Sequence, residues 1–408
     1  METTVTTKTK KKKTKSKKKA SKKAAAPKTG SVVTTIPPTQ SSQPDNAAGY
    51  IRKRELKDTA ALSKVQLGEL YQFLYETRRL EEHLVALYRQ NKVIGGVYRS
   101  LGQEGTAVGC GYGLKAGDFL QPLIRDMGSM LVHGASPISM LRQYMAKETG
   151  PSGGRDLNQH FSNPDVGILG PVSMLGAMIP VLAGCLIAAR NRGETDKAGL
   201  AFIGDGGSST GAFYEGVNFA AVQKLPLIVV IENNHFAYST PTAEQVPNGD
   251  ILRRAIGFGC TVAHIDGNDV LAAYQATREA RARGIAGEGP TIIVSETFRR
   301  RGHAEHDSQK YVSKDEIKDW ESNNDPVDRF KIFLEKGEHL SQAEMSAIEE
   351  TISAELNAAR DQAVGESFPS PDTVEHGVFE DGTQPWPDVS TWFRGGPANR
   401  PADIEEGE

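Results

Sequence analysis

An aspartate and an asparagine, 29 residues apart, are the side chains of this 408-residue chain best suited to chemistry. Asp205 lies in Gly204-Asp205-Gly206, after the apolar run Leu200-Ala201-Phe202-Ile203. Asn234 closes Glu232-Asn233-Asn234, after the apolar run Leu227-Ile228-Val229-Val230-Ile231. A carboxylate and an amide carbonyl are hard oxygen donors, and they suit a small dication that keeps positions free for phosphate oxygens. Gly206-Gly207-Ser208-Ser209-Thr210-Gly211 lets backbone N–H groups approach an anion, and the chain then turns helical from Ala212 to Gln223. A Gly-Asp-Gly alone is more often a turn. With a strand before it, a helix after it, a second strand and paired asparagines, it predicts a site for a magnesium-bound diphosphate resting on a helix N-terminus.

These residues need a scaffold to bring them together. The β-branched run 227–231 reads as a strand buried on both faces, and Leu225-Pro226 ends the helix before it. Strand, glycine loop, helix and strand deliver Asp205 and Asn234 to the carboxyl ends of adjacent parallel strands, where open α/β sheets bind ligands. Lys64 to Gln90 is a long helical pattern, with Leu67, Leu70, Leu74, Leu80, Leu84 and Leu87 on one face. Further helices are predicted in Gly95 to Gly113, after a loop, and over Ser136 to Lys147, Met174 to Arg190, Ala272 to Arg283 and Glu344 to Gly365, with strands around Cys260 to Ile265 and Thr291 to Thr297. Gly150 to Gly170, with Arg155, Asn158 and His160, reads as a glycine-rich loop near the site. The fold class is α/β, a doubly wound, mostly parallel sheet flanked by helices. The chain divides into a tail (1–49), one domain (50–366) and a proline-rich C-terminal extension (367–408). No internal repeat is visible.

At 38% hydrophobic and 24% charged residues, the chain can bury a sizeable core. It has no run of eighteen apolar residues to span a membrane. Cys110, Cys185 and Cys260 are scattered and lack metal spacing, which argues for a reducing compartment and against a disulfide framework. The net charge of −3 divides into +10 for residues 1–49 and −13 for the rest. The lysine block from Thr9 to Lys23 and the proline-, serine- and threonine-rich stretch from Ala24 to Ala48 are expected to be disordered. A nucleic-acid or acidic-surface tether is one reading of this tail; a solvated tail without a specific partner is preferred. It carries no arginine and no amphipathic apolar pattern, which disfavours a mitochondrial transit peptide, and the expected location is the cytoplasm.

Gly-Asp-Gly followed by about thirty residues and Asn-Asn resembles the thiamine diphosphate fingerprint. From about Leu67 to Gly337 the chain is similar to the α subunit of the decarboxylating first component of 2-oxo acid dehydrogenase complexes. The segments that carry this likeness include Tyr75-Glu76-Thr77-Arg78-Arg79-Leu80-Glu81, Gly102-Gln103-Glu104-Gly105, Leu123-Ile124-Arg125-Asp126, Tyr238-Ser239-Thr240-Pro241-Thr242, Asp266-Gly267-Asn268-Asp269-Val270 and Arg301-Gly302-His303.

The resemblance implies thiamine diphosphate and Mg2+ as cofactors. Asp205, Asn234 and the backbone carbonyl of Phe236 would be the protein's metal ligands. Gly204, Gly206 and Gly207 would form the diphosphate loop, Arg125 would bind the diphosphate, and Ser173, Leu175 and Gly176 would contact the cofactor rings. His303 would lie over the phosphates near the reacting centre, in the catalytic position, within a loop that meets the lipoyl carrier. From sequence alone, Arg125 could instead be a surface ion-pair partner, His303 part of a basic loop, and His160 either a phosphate-side contact or loop structure. Only the diphosphate-binding half of a thiamine enzyme is recognisable. The implied partners are therefore a β subunit supplying the glutamate that activates the cofactor, in a tetramer of two α and two β chains, and a lipoyl-bearing acyltransferase component. The implied reaction is oxidative decarboxylation of a small 2-oxo acid with acyl transfer to lipoyl-lysine. The chain has no nicotinamide fingerprint of its own. Tyr98 and Ile124 stand where pyruvate-specific members usually carry histidine and tyrosine, and Ser173-Met174-Leu175 and Ser239 to Gln245 look more like branched-chain members. Branched-chain 2-oxo acids are the preferred expectation and pyruvate the alternative; Ala304 replaces the animal-type regulatory serine after the histidine. A split transketolase-like half would lack the lipoyl partner, and a non-enzymatic binding protein would not need Asp205 and Asn234.

Overall fold

The computed structural model describes residues 34–36 and 62–376. After Ser63, whose side chain and that of Gln66 form a reciprocal cap, α1 (Lys64–Arg89) leads to α2 (Glu104–Tyr112), β2 (Phe119–Gln121), α3 (Met127–Val132) and α4 (Pro137–Tyr144). The site-bearing half follows: α5 (Met178–Asn191), β3 (Gly199–Gly204), α6 (Gly211–Gln223) and β4 (Leu227–Asn233). A two-stranded hairpin, β5 (Phe236–Ala237) and β6 (Thr240–Pro241), runs into α7 (Thr242–Gln245), α8 (Ile251–Ile256), β7 (Thr261–Asp266), α9 (Val270–Ile285) and β8 (Thr291–Glu296). Three helices close the described chain: α10 (Lys314–Asn324), α11 (Pro326–Lys336) and α12 (Gln342–Gly365).

The main sheet has the order β1-β7-β8-β4-β3-β2, where β1 is Thr34–Ile36. All neighbours are parallel except β1, which pairs antiparallel with β7. Because successive strand residues face opposite sides, Leu200 and Phe202 of β3 join one core, with α2, α3, α4 and α9, while Ala201 and Ile203 join the other, with α5, α6 and α8. Burying each such large apolar side chain contributes about 1.5–3 kcal/mol. This two-sided burial explains the uninterrupted apolar strands.

Several expectations need correction. The stretch expected to be disordered includes β1, a short edge strand. The helix expected from Met174 starts at Met178, because the preceding turn places Gly176 at φ +84°, where an L-residue is strained. α8, α10 and α11 are not among the predicted helices, because they are short or lack long apolar stripes. The Gly150–Gly170 loop contains one short 3₁₀ turn, Pro164–Val166. Residues 1–33, 37–61 and 377–408, which hold the lysine block and most of the C-terminal extension, lie outside the described residues.

Candidate active site

The parallel pairing of β3 with β4 sets Gly204 opposite Glu232, so the residues that follow, Asp205 and Asn234, emerge at the same sheet edge. Asp205 is buried. Its Oδ2 accepts from Gln245 Nε2 at 2.8 Å and lies 3.3 Å from Thr242 Oγ1, and its backbone N–H donates to the Glu232 carbonyl. Asn234 Nδ2 donates to Gln103 Oε1 at 3.1 Å, while its Oδ1 accepts from the Phe236 N–H at 3.3 Å. The Phe236 carbonyl accepts from Arg299 Nη1 at 3.1 Å and keeps a second lone pair. His235 between them adopts φ +72°, the bend that brings Asn234 and Phe236 round to one point.

Above this edge, Arg125 Nη2 donates to the His303 carbonyl at 2.5 Å and lies 3.4 Å from its Nδ1. The His303 ring sits between Tyr98 and Tyr238, at centroid distances of 5.4 and 4.5 Å, and the backbone N–H of His303 donates to Asp307 Oδ2. Burial, then Arg125 and Arg299, hold the imidazole down to about 4, so at neutral pH it is uncharged and can exchange a proton. Burial and Arg299 likewise hold the Arg125 guanidinium down to about 10.

The glycine loop is tightly built. A Cβ on Gly206 would fall 2.5 Å from Ala237 Cβ, and one on Gly207 would fall 2.8 Å from Ile203 and 3.4 Å from Leu175. One on Gly204 would meet no protein atom within 4 Å, leaving room for a ligand. The expected helix N-terminus is set back. A 3₁₀ turn, Gly207–Ser209, follows Asp205, and Thr210 caps α6 through the Phe213 N–H. The turn, rather than the first turn of α6, thus lies next to Asp205, and Gly206 N–H supports the Asp205 carboxylate itself. Gly176 packs on Thr210, Leu175 lies over Gly207, and both Leu175 and Ser173 are exposed. His160 bonds to Asp156 at 3.2 Å within its own loop, as loop structure.

The donor set fits a magnesium diphosphate. Burial raises the Asp205 carboxyl, a strain that a dication relieves. Arg125 Nε is buried and unpartnered, an orphan donor that an anion satisfies. All three candidate ligands are oxygens.

Sequence reasoning did not single out the residues that brace these groups. Gln103 holds Asn234, Thr242 and Gln245 hold Asp205, and Arg299 spans the carbonyls of Phe236 and Tyr238. All four lie inside quoted motifs or beside them, but their roles follow from contacts across the sheet edge. Asp126 and Glu232 form a fully buried carboxyl pair near Arg125. Burial pushes Asp126 up to about 7 and, with Asp126 beside it, raises Glu232 as well.

The sequence pattern of the dehydrogenase E1 component family matches residues 74–372. The chain belongs to that family. It is similar to the "pyruvate dehydrogenase E1 component subunit alpha" of Staphylococcus aureus strain Mu50, with 36% identity over 304 residues covering 74% of this chain and 79% of that one. The protein of the same name from Staphylococcus epidermidis strain RP62A is 35% identical over 307 residues, with the same coverage. This E1 chain is therefore the α subunit of a thiamine diphosphate-dependent 2-oxo acid dehydrogenase. Among its described residues, no helix is long and apolar enough to cross a membrane.

Proposed function

We propose that this E1 α chain binds the diphosphate of thiamine diphosphate through Mg2+ and joins a β subunit to decarboxylate a branched-chain 2-oxo acid, passing the acyl group to a lipoyl-lysine of the acyltransferase component. The observation that carries the reading is that Asp205, Asn234 and the Phe236 carbonyl lie at the carboxyl ends of β3 and β4 and are linked, through Arg299 and Tyr238, to the His303–Arg125 pair. Asp205, Asn234 and Phe236 would hold the metal, Arg125 and the turn after Asp205 the phosphate oxygens, and Ser173, Leu175 and Gly176 the rings. When bound, the cofactor supplies the carbanion equivalent and electron sink that loss of carbon dioxide requires. His303, neutral and wedged between two tyrosines, would hold or release a proton at its imidazole on the substrate side.

The β partner is supported by an exposed apolar face. Met174, Leu175, Val181, Tyr214, Phe219 and Val222 are between 41% and 72% exposed, on and beside the packed helices α5 and α6. The described part of the domain expected over residues 50–366 would act as one unit, since α12 packs on α1 and α4. The free cysteines agree with a cytoplasmic location.

Tyr98, against His303 where pyruvate-specific members usually have histidine, favours branched substrates. The relatives' names favour pyruvate as the second reading. Co-expression with the candidate β subunit, followed by decarboxylation assays with 2-oxoisovalerate and pyruvate, tests this. A higher kcat/KM for 2-oxoisovalerate is expected; a higher value for pyruvate selects the second reading, and turnover of neither with cofactor bound favours a split transketolase-like half.

A further inference from the structure

The ends of β4 and β8 carry a polar chain that the site as described leaves unused. Asn233 and Glu296 are register partners there. Asn233 Nδ2 donates to Glu296 Oε2 at 2.8 Å, His264 Nε2 lies 2.9 Å from Oε1, and His235 Nε2 lies 3.7 Å from Oε2. On its other side, Asn233 Oδ1 lies 3.2 Å from Thr242 Oγ1, the hydroxyl that also reaches Asp205 Oδ2 at 3.3 Å. Glu296 itself faces a cavity of about 780 Å³ that His264, Asp250 and Glu316 also line.

We propose that Glu296 is a positioning residue for the magnesium site, acting through Asn233 and Thr242 on Asp205. The inference rests on the magnesium reading given above. An ionised carboxylate only accepts hydrogen bonds, so it obliges the Asn233 amide to turn its NH2 toward Glu296 and its oxygen toward Thr242. Against the upward push of burial, His235 and His264 hold the Glu296 carboxyl down to about 2, so it remains ionised. The Thr242 hydroxyl has one proton. With Asn233 Oδ1 competing for it, that proton is shared rather than committed to Asp205, whose Oδ2 accepts fully only from Gln245 Nε2 and keeps a lone pair for the cation. If Asn233 were free to turn over, its NH2 would donate to Thr242 and the hydroxyl proton would pass wholly to Asp205, in competition with the metal. Outer-shell partners of this kind change metal affinity by about 10–100-fold.

The test is the Mg2+ dependence of thiamine diphosphate binding to the αβ complex, read by intrinsic fluorescence, with the melting temperature of the cofactor-free complex recorded alongside. Glu296→Met is expected to raise the half-saturating Mg2+ concentration by about tenfold or more, and that shift should vanish in a Thr242→Val background. Glu296→Gln keeps the shape but lets the Asn233 amide turn; it replaces the methionine variant if that one does not fold, with the same two outcomes expected. Unchanged Mg2+ dependence, or a shift that persists with Thr242→Val, overturns the inference. Failure of the unaltered complex to bind the cofactor with Mg2+ removes the magnesium reading instead.

Discussion

The two sides of the candidate site are built to different standards. On the diphosphate side each candidate metal ligand is braced: Asp205 by Gln245 and Thr242, Asn234 by Gln103, the Phe236 carbonyl by Arg299. On the ring side Ser173, Met174 and Leu175 are exposed, and the turn is fixed mainly by Gly176 packing against Thr210. A preorganised set of donors next to an open apolar edge is what a shared site looks like from one of its halves. On the proposed reading the chain would bring the anion- and metal-binding groups, and the apolar side would be left for a β subunit to finish.

That contrast orders the expected effects of substitution. Asp205→Ala should weaken Mg2+-dependent cofactor binding by more than the about hundredfold typical of losing an outer-shell partner, as titration of thiamine diphosphate into the αβ complex would measure; a smaller loss would dissolve the distinction between the two sides. Arg125→Met should cost about 2 kcal/mol or more of cofactor binding, because truncating one member of a buried charge pair strands the other, and the same titration at constant Mg2+ reads it. Leu175→Ala lies on the open side. It should change the stability of the chain by no more than about 0.5 kcal/mol, the usual range for exposed positions, while lowering kcat with the β subunit present. A large fall in the urea midpoint of the isolated chain would mean that the ring side is braced after all.

The smallest effect concerns His303, which is half-buried. Its imidazole is held down to about 4 in the folded chain, against an ordinary value near 6.5. Between those pH values the unfolded chain binds more protons, so this residue makes stability fall as pH is lowered through the window. His303→Gln should therefore flatten the pH dependence of the urea midpoint of the cofactor-free chain between pH 6.5 and 4. An unchanged slope would show that the ring is not desolvated in the way the packing of Tyr98 and Tyr238 implies.

The same contrast marks how far the residues could be read without coordinates. The sheet order around the site was legible, because β3 and β4 are continuous apolar runs with punctuation at both ends. The placing of Asp205 and Asn234 at one sheet edge was legible because each follows directly on one of those runs. Gln103, Gln245 and Arg299 were not, although each touches a candidate ligand: a buried amide or guanidinium looks in sequence like any polar residue, and its partner lies 63 to 131 positions away for Gln103 and Arg299. Gln245 is nearer, 40 positions from Asp205, but reaches it only through the β5–β6 hairpin. The amphipathic helix α11 was missed for a different reason. Its apolar residues Val327, Phe330 and Leu334 face α1 and α2 in a small peripheral cluster, and their pattern is short.

The most direct test is thiamine diphosphate binding to the αβ complex with and without Mg2+, for the unaltered chain and for Asp205→Ala. The expected result is saturable binding that needs Mg2+ in the unaltered complex and is lost in the variant. Equal, metal-independent binding in both would contradict the assignment of the diphosphate half of the site to this chain.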